Sequence, residues 1–224
     1  MTFSISGRCE KTGTFGIAIA SSSPAVAARC AHARAGVGVV ATQNVTDPSL
    51  GPKGLDLMAA GLDAEAALAK LLDGYATAEY RQLVLVDAKG NAAIHSGAHT
   101  LGTFATAKGR HCAAAGNMLA GTGVPSRMVE AFEAAQGPLG DRLIAAMQAG
   151  QAAGGEAGPV HSAGLLMVRD VSWPIADLRV DWAEADPVGR LAALWTLYEP
   201  QLEDYIARAL EPDAAPRYGV PGDE

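Results

Sequence analysis

The chain has 224 residues, of which 49% are hydrophobic and 18% charged, and its formal net charge is -7. These values are typical of a folded domain with a substantial core rather than of a disordered or fibrous chain. The acidic charge leaves no basic surface for phosphates, so we expect no nucleic-acid partner. The sequence shows no signal peptide and no apolar run of membrane-spanning length, which predicts a cytoplasmic protein with no membrane partner.

The start of the chain has the alternation of a β-strand. Phe3 and Ile5 alternate with Ser4 and Ser6, which predicts one apolar and one polar face, with Thr2 on the polar one. Removal of Met1 would leave the hydroxyl and the free amine of Thr2 on a single residue. An α-amine titrates near neutrality and can activate a hydroxyl, so Thr2 is a candidate nucleophile that carries its own base.

The remaining elements follow from periodicity, caps and turn residues. We predict strands at 15–20, 36–42, 83–86, 92–95, 111–115, 162–168 and 177–182, and helices at 52–60, 63–72, 125–135, 138–152 and from 186 to about 210. Pro200 removes one backbone donor inside the last helix, so we expect a kink or a break there. This α+β order is compatible with two stacked sheets between helical layers, or with one antiparallel sheet that has its helices on one face.

Several polar residues lie at predicted strand ends. Gln43 follows an apolar strand, where it would contact a substrate or only mark the exit of the strand. Ser4 shares the Thr2 face and would orient the nucleophile or satisfy neighbouring backbone. Ser21 opens a serine-rich loop that would line a cleft or form ordinary loop structure.

A zinc enzyme is a competing interpretation. Imidazole and thiolate groups occur close together in sequence, but their spacing does not follow a regular ligand pattern; they belong to His95, His99, His111 and Cys112. The glycines at 116, 121 and 123 are spaced for turns and form neither a phosphate loop nor a dinucleotide fingerprint. We therefore expect no metal site and no cofactor.

Five motifs in one order give a more specific indication. They are Thr2–Ile5, Gly36–Gln43, Gly51–Leu55, Gly116–Gly121 and Gln151–Gly155. Together they resemble the bacterial domain-of-unknown-function family 1028, from Thr2 to about the end of the last helix. That family is placed with the N-terminal-nucleophile (Ntn) hydrolases, related in fold to proteasome β subunits. The resemblance implies a four-layer αββα sandwich of two stacked antiparallel sheets between helical layers, as one domain at 1–210, followed by a mobile acidic tail at 211–224.

The resemblance also implies a chemistry. Thr2 would attack an amide carbonyl and form an acyl-enzyme. Gly116 and Asn117 follow a predicted strand, where Asn117 would supply a donor to the oxyanion hole or would only bond its own backbone in a turn. The implied activity is an amidohydrolase for a small or peptide-like amide substrate. The alternative is a catalytically inactive Ntn fold that binds a small molecule or serves as an assembly module. A homodimer is compatible with the apolar stripe of the last helix.

The chain departs from the family pattern near the start of the strand predicted at 162–168. His161 precedes Ser162 where a glutamine is expected in relatives, and the preceding segment 156–159 lacks their arginine-containing pattern. We therefore count His161 as a candidate substrate-binding residue together with Ser4, Ser21, Gln43 and Gly116, and expect substrate choice to differ.

Overall fold

The computed structural model describes residues 1–222. The strands are β1 Thr2–Arg8, β2 Phe15–Ser21, β3 Ala31–Arg34, β4 Gly38–Asn44, β5 Arg81–Asp87, β6 Ala92–Ser96, β7 Ala105–Gly109, β8 Cys112–Asn117, β9 Ser162–Val168 and β10 Ala176–Val180. The helices are α1 Val26–Cys30, α2 Leu50–Ala59, α3 Ala64–Leu72, α4 Val124–Ala134, α5 Leu139–Ala152, α6 Pro187–Tyr198 and α7 Leu202–Leu210.

Two antiparallel sheets lie face to face. One has six strands in the order β10-β9-β2-β1-β8-β7, and the other has four in the order β3-β4-β5-β6. The apolar side chains between them, including those of Ile17, Val39 and Val84, form one buried cluster. Stacking the sheets places β1 and β8 opposite β4 and β5.

Helices cover the outer face of each sheet. Phe3, Phe132 and Leu143 belong to the core between the six-stranded sheet and α4, α5 and α6. Leu55, Leu68 and Leu85 belong to the core between the four-stranded sheet and α2 and α3. The four-layer αββα sandwich of the Ntn-hydrolase type is therefore confirmed, and the single-sheet alternative is wrong.

The polar face of β1 is buried, contrary to what its alternation suggests. Thr2, Ser4 and Ser6 are at most 6% exposed because they point at the second sheet rather than at water. Alternation distinguishes two faces of a strand, but a strand between two other layers buries both. The amino end of the chain is thereby held inside the sandwich.

Most predicted elements are present with small shifts at their ends. Asp63 caps α3 by accepting from the backbone of Ala66. The predicted interruption at Pro200 is confirmed, since a 3₁₀ turn at Glu199–Gln201 separates α6 from α7. Three elements were not predicted from the sequence, namely α1, β3 and β7.

The tail lies against the last helix as far as it is described. Arg208 donates to the carbonyls of Pro216 and Arg217, and its guanidinium lies 3.9 Å from the ring centroid of Tyr218. The predicted mobility of 211–224 stays a prediction, and residues 223 and 224 lie outside the described residues. Across residues 1–222, no helix combines the length and the apolar character that crossing a membrane requires.

The contact between α5 and β2 gives a test of the core. A Cβ added at Gly16 would stand 2.6 Å from Leu143 Cδ1, so the two elements pack in direct contact. We expect Leu143→Ala to lower the free energy of unfolding by roughly 2 to 5 kcal/mol, because it opens a cavity in that contact. Leu197→Ala is the matched control, since Leu197 is 68% exposed. Urea unfolding of both variants measures the difference, and equal effects would contradict this packing.

Candidate active site

Thr2 begins an inner strand of the six-stranded sheet. It pairs with Asn117 of β8, and its side chain is 6% exposed. Its hydroxyl donates to the carbonyl of Met1 and lies 3.5 Å from Ser21 Oγ. Ser21 Oγ donates to the same carbonyl. Two hydroxyls thus meet at the carbonyl that is bonded to the Thr2 nitrogen.

A chain of buried side-chain amides connects the two sheets beside Thr2. Ser4 Oγ donates to Gln43 Oε1 at 2.8 Å, and Gln43 Nε2 donates to Gln82 Oε1 at 2.7 Å. Gln82 Nε2 in turn donates to Ser96 Oγ at 3.0 Å. Ser4, Gln43 and Gln82 are fully buried, so their polar atoms depend on one another for hydrogen bonds.

Asn117 and Gly116 lie at the end of this chain of amides. Asn117 Nδ2 donates to Gln82 Oε1 at 3.1 Å, and the Gly116 carbonyl accepts from Gln82 Nε2 at 3.1 Å. An amide NH₂ carries two donors, so Asn117 retains one beyond its bond to Gln82. Asn117 is 1% exposed and lies beside Thr2 in the strand register.

His161 lies next to the loop after β2. Its backbone nitrogen donates to the Ser21 carbonyl, and its ring stacks on Trp182 with centroids 4.3 Å apart. Its Nδ1 is 2.8 Å from the Ala183 carbonyl. A carbonyl only accepts, so Nδ1 carries a proton and Nε2 is the remaining ring nitrogen.

Glu156 is the buried carboxylate of this region, at 4% exposure. Both of its oxygens lie 3.1 Å from the backbone nitrogen of Ser22. Burial raises the pKa of the Glu156 carboxyl to about 7, while the positive amino terminus, the Ser22 hydrogen bond and His161 act in the opposite direction. A carboxyl with this pKa changes its charge near neutral pH.

Sequence reasoning missed three of these residues. Glu156 was considered only as part of a departure from the family pattern, while Gln82 and Trp182 were not considered as site residues. Gln82 stands just before one apolar run, and Gln43 stands just after another. The same sequence signal could therefore have identified Gln82. Nothing local marks Glu156, because its partner Ser22 is 134 positions away.

The zinc candidates fall into two groups, with His95 and His99 near residues 78–80 and His111 and Cys112 at the start of β8. His95 Nε2 is 3.0 Å from the Ala78 carbonyl, and His99 packs against Tyr80. His111 lies 3.5 Å from Glu10 at the far end of β1. Within residues 1–222, no three His, Cys, Asp or Glu side chains are grouped as a metal ion would need.

A cavity of about 450 Å³ opens at the end of β1 opposite Thr2. Cys9 and Arg142 are among its lining residues. Burial acts to raise the pKa of the Cys9 thiol, but hydrogen bonds with Thr12 and the backbone of Lys11, together with the charge of Arg142, leave it lowered. This cavity is separate from the polar cluster around Thr2.

Two stacked antiparallel sheets between helical layers define a fold of the four-layer αββα sandwich class. The chain belongs to DUF1028, a family of unknown function, whose sequence model matches residues 2–191. It is similar in structure to the DUF1028 protein SPO2555 from Silicibacter pomeroyi, with a TM-score of 0.84 and 28% identity over 91% of this chain and 89% of that one.

Two further solved structures are more distant. Anbu, an ancestral beta-subunit, from Yersinia bercovieri aligns with a TM-score of 0.40 and 10% identity over 90% of this chain and 96% of that one. An Anbu (Gly-1) mutant from Hyphomicrobium sp. strain MC1 aligns with a TM-score of 0.41 and 12% identity over the same shares, 90% and 96%. The comparison with curated proteins gave no match.

Gln82 gives a test of the amide chain. Gln82→Met keeps a similar volume but leaves Gln43 Nε2 and Asn117 Nδ2 without their acceptor. We expect the free energy of unfolding to fall by roughly 2 to 4 kcal/mol, because buried donors lose their partner. The exposed Gln136→Met should change it by less than about 0.5 kcal/mol. Denaturant unfolding measures both, and a neutral Gln82→Met would contradict a structural role for the amide chain.

The pH dependence of the free energy of unfolding tests the burial of Glu156. Its pKa in the folded protein, about 7, lies above its ordinary value of 4.5. The folded state therefore binds the proton more tightly, and stability is lost as pH rises from about 4.5 to 7. Glu156→Gln keeps an acceptor for Ser22 and removes this loss. Relative to the wild type, the variant should gain on the order of 3 kcal/mol across that range.

Unfolding curves at a series of pH values measure this gain. The exposed Glu130→Gln is the matched control and should follow the wild type throughout. A gain that does not depend on pH would contradict a carboxyl that titrates near neutrality inside the fold.

Proposed function

We propose that this chain is an Ntn-type amidohydrolase that cleaves the C–N bond of a small or peptide-like amide through an acyl-enzyme on Thr2. The observation that carries this proposal is the position of the Thr2 hydroxyl. It is buried at the head of β1 and lies beside Ser21 Oγ and the carbonyl of Met1. A hydroxyl held in a polar, largely dry site suits nucleophilic attack better than a hydroxyl free in water.

The reaction requires that Met1 be removed. The free Thr2 amine then takes the hydroxyl proton, directly or through water, as the oxygen attacks the substrate carbonyl. The tetrahedral intermediate carries a negative oxygen, and Asn117 Nδ2 and nearby backbone donors would stabilise it. Collapse breaks the C–N bond, the leaving amine takes the proton, and an ester remains on Thr2. Water then attacks the ester, and the acid product and free Thr2 are released.

The residues around Thr2 have supporting roles in this proposal. Ser21 Oγ already donates to a carbonyl at this position and would donate to that of the substrate. Ser4 and Gln43 are hydrogen-bonded to each other. They would therefore hold Asn117 in place through Gln82 rather than contact the substrate directly. His161 and the exposed Trp182 would border the entrance.

The test compares the wild type with Thr2→Ser and Thr2→Ala on a panel of amides, after intact-mass analysis has shown that Met1 is absent from each sample. We expect Thr2→Ala to lower kcat/KM by at least about 10³-fold, because the nucleophile is gone, while Thr2→Ser keeps measurable activity. Hydrolysis that survives Thr2→Ala would overturn the mechanism. A processed wild type that hydrolyses none of the amides would favour the inactive binding or assembly module.

A further inference from the structure

The Met1 residue shows what fits the space in front of Thr2. Its carbonyl accepts from the hydroxyls of Thr2 and Ser21. Its side chain reaches the loop after α5, where a Cβ added at Gly158 would stand 3.2 Å from Met1 Cε. Met1 is therefore a methionyl group, bonded to the Thr2 nitrogen, whose carbonyl and side chain both contact the candidate site.

An acyl group on the Thr2 hydroxyl would occupy much of the same space. The nitrogen and Oγ of Thr2 are separated by three covalent bonds, so acyl groups on the two atoms start from neighbouring points. The position of the Met1 carbonyl between the two hydroxyls thus approximates that of an acyl carbonyl. By the same reasoning, the Met1 amine indicates where a substituent on the neighbouring carbon would lie.

Glu156 lies near that position with acceptor capacity to spare, since its donor Ser22 follows Ser21, which contacts the Met1 carbonyl, and Gly158 beside the Met1 side chain is two residues after it. The carboxylate can accept about four hydrogen bonds, and the one described donor to it is the backbone nitrogen of Ser22. The ionisable groups that act on Glu156 are the Met1 amine and His161, and both favour its charged form. A carboxylate buried to this degree is costly without a cationic partner.

We infer that Glu156 forms a subsite for an ammonium group, and that the substrates are amides of amino acids whose α-amine is unblocked. This inference rests on the proposed function for the scissile bond, but the subsite itself is a binding property. Once Met1 has left, the ammonium of the substrate takes a place close to that of the Met1 ammonium and pairs with Glu156. The Met1 side chain marks the place of the substrate side chain beside Gly158.

The subsite can be tested without turnover by a pair of ligands that differ only in the amine. L-Methioninol carries the ammonium, and 4-(methylthio)butan-1-ol lacks it, while neither has an amide bond to cleave. We expect calorimetry at about pH 8 to show that processed wild type binds the first at least about 10-fold more tightly. Glu156→Gln should reduce this preference to within about 3-fold, because it removes the charge and keeps an acceptor for Ser22.

Glu10→Gln is the matched control, since Glu10 is exposed and lies beyond the opposite end of β1. It should keep the full preference for the amine. Equal binding of the two ligands by the wild type, no binding of either, or a preference that survives Glu156→Gln would each overturn the inference.

A second measurement on the wild type needs no variant. The preference should fall as pH is lowered from about 8 to about 5.5, because Glu156 takes up a proton while the ligand ammonium stays charged. A preference that is constant over this range would also overturn the inference. Loss of hydrolysis in Thr2→Ala concerns the proposed function alone, so the failures of the two proposals are distinguishable.

Discussion

The hydrogen-bonded amides between the two sheets are the constraint on which the candidate site depends. Gln43 and Gln82 are fully buried, and each uses its amide as donor and as acceptor. Their bonds connect Ser4 of β1 to Asn117 of β8 through the opposite sheet. A buried amide left unpaired costs more than its hydrogen bond contributes, so the relative position of the sheets at this end is fixed by polar geometry as well as by apolar packing.

Much of the fold follows from local patterns, and the exceptions have a physical cause. Strands such as β5 and helices such as α5 combine apolar periodicity with turns and caps, so they are readable from sequence. β7, with the sequence Ala-Thr-Ala-Lys-Gly, alternates but has only alanine on its apolar face, so its signal is weak, and it is an edge strand that pairs with β8 alone. Periodicity could not choose between one sheet and two, since the face of β1 that bears Ser4 and Ser6 appears polar whether it meets water or another sheet.

The residues of the candidate site also divide into those that the sequence predicts and those that it does not. Gln43 and Asn117 end strands, and Thr2 begins one, so sequence position alone made them candidates. Their convergence depends on strand pairing and on the stacking of two sheets, neither of which is local. Glu156 was missed because its environment is made by distant segments, with Ser22 on one side and its bridge partner Leu119 on the other. The family resemblance supplied the architecture, but it did not identify this carboxyl.

In the proposed reaction, the charges around Thr2 would connect substrate choice with activation of the nucleophile. An ionised Glu156 would favour the protonated form of a free Thr2 amine, and that form cannot act as a base. Burial opposes this, because it raises the pKa of the Glu156 carboxyl. A substrate ammonium on Glu156 pairs with the negative charge and adds a positive charge near the Thr2 amine, and both effects favour release of the amine's proton. In this arrangement an amino-acid amide would promote the basic form of Thr2 on binding, whereas an amide without the amine would not.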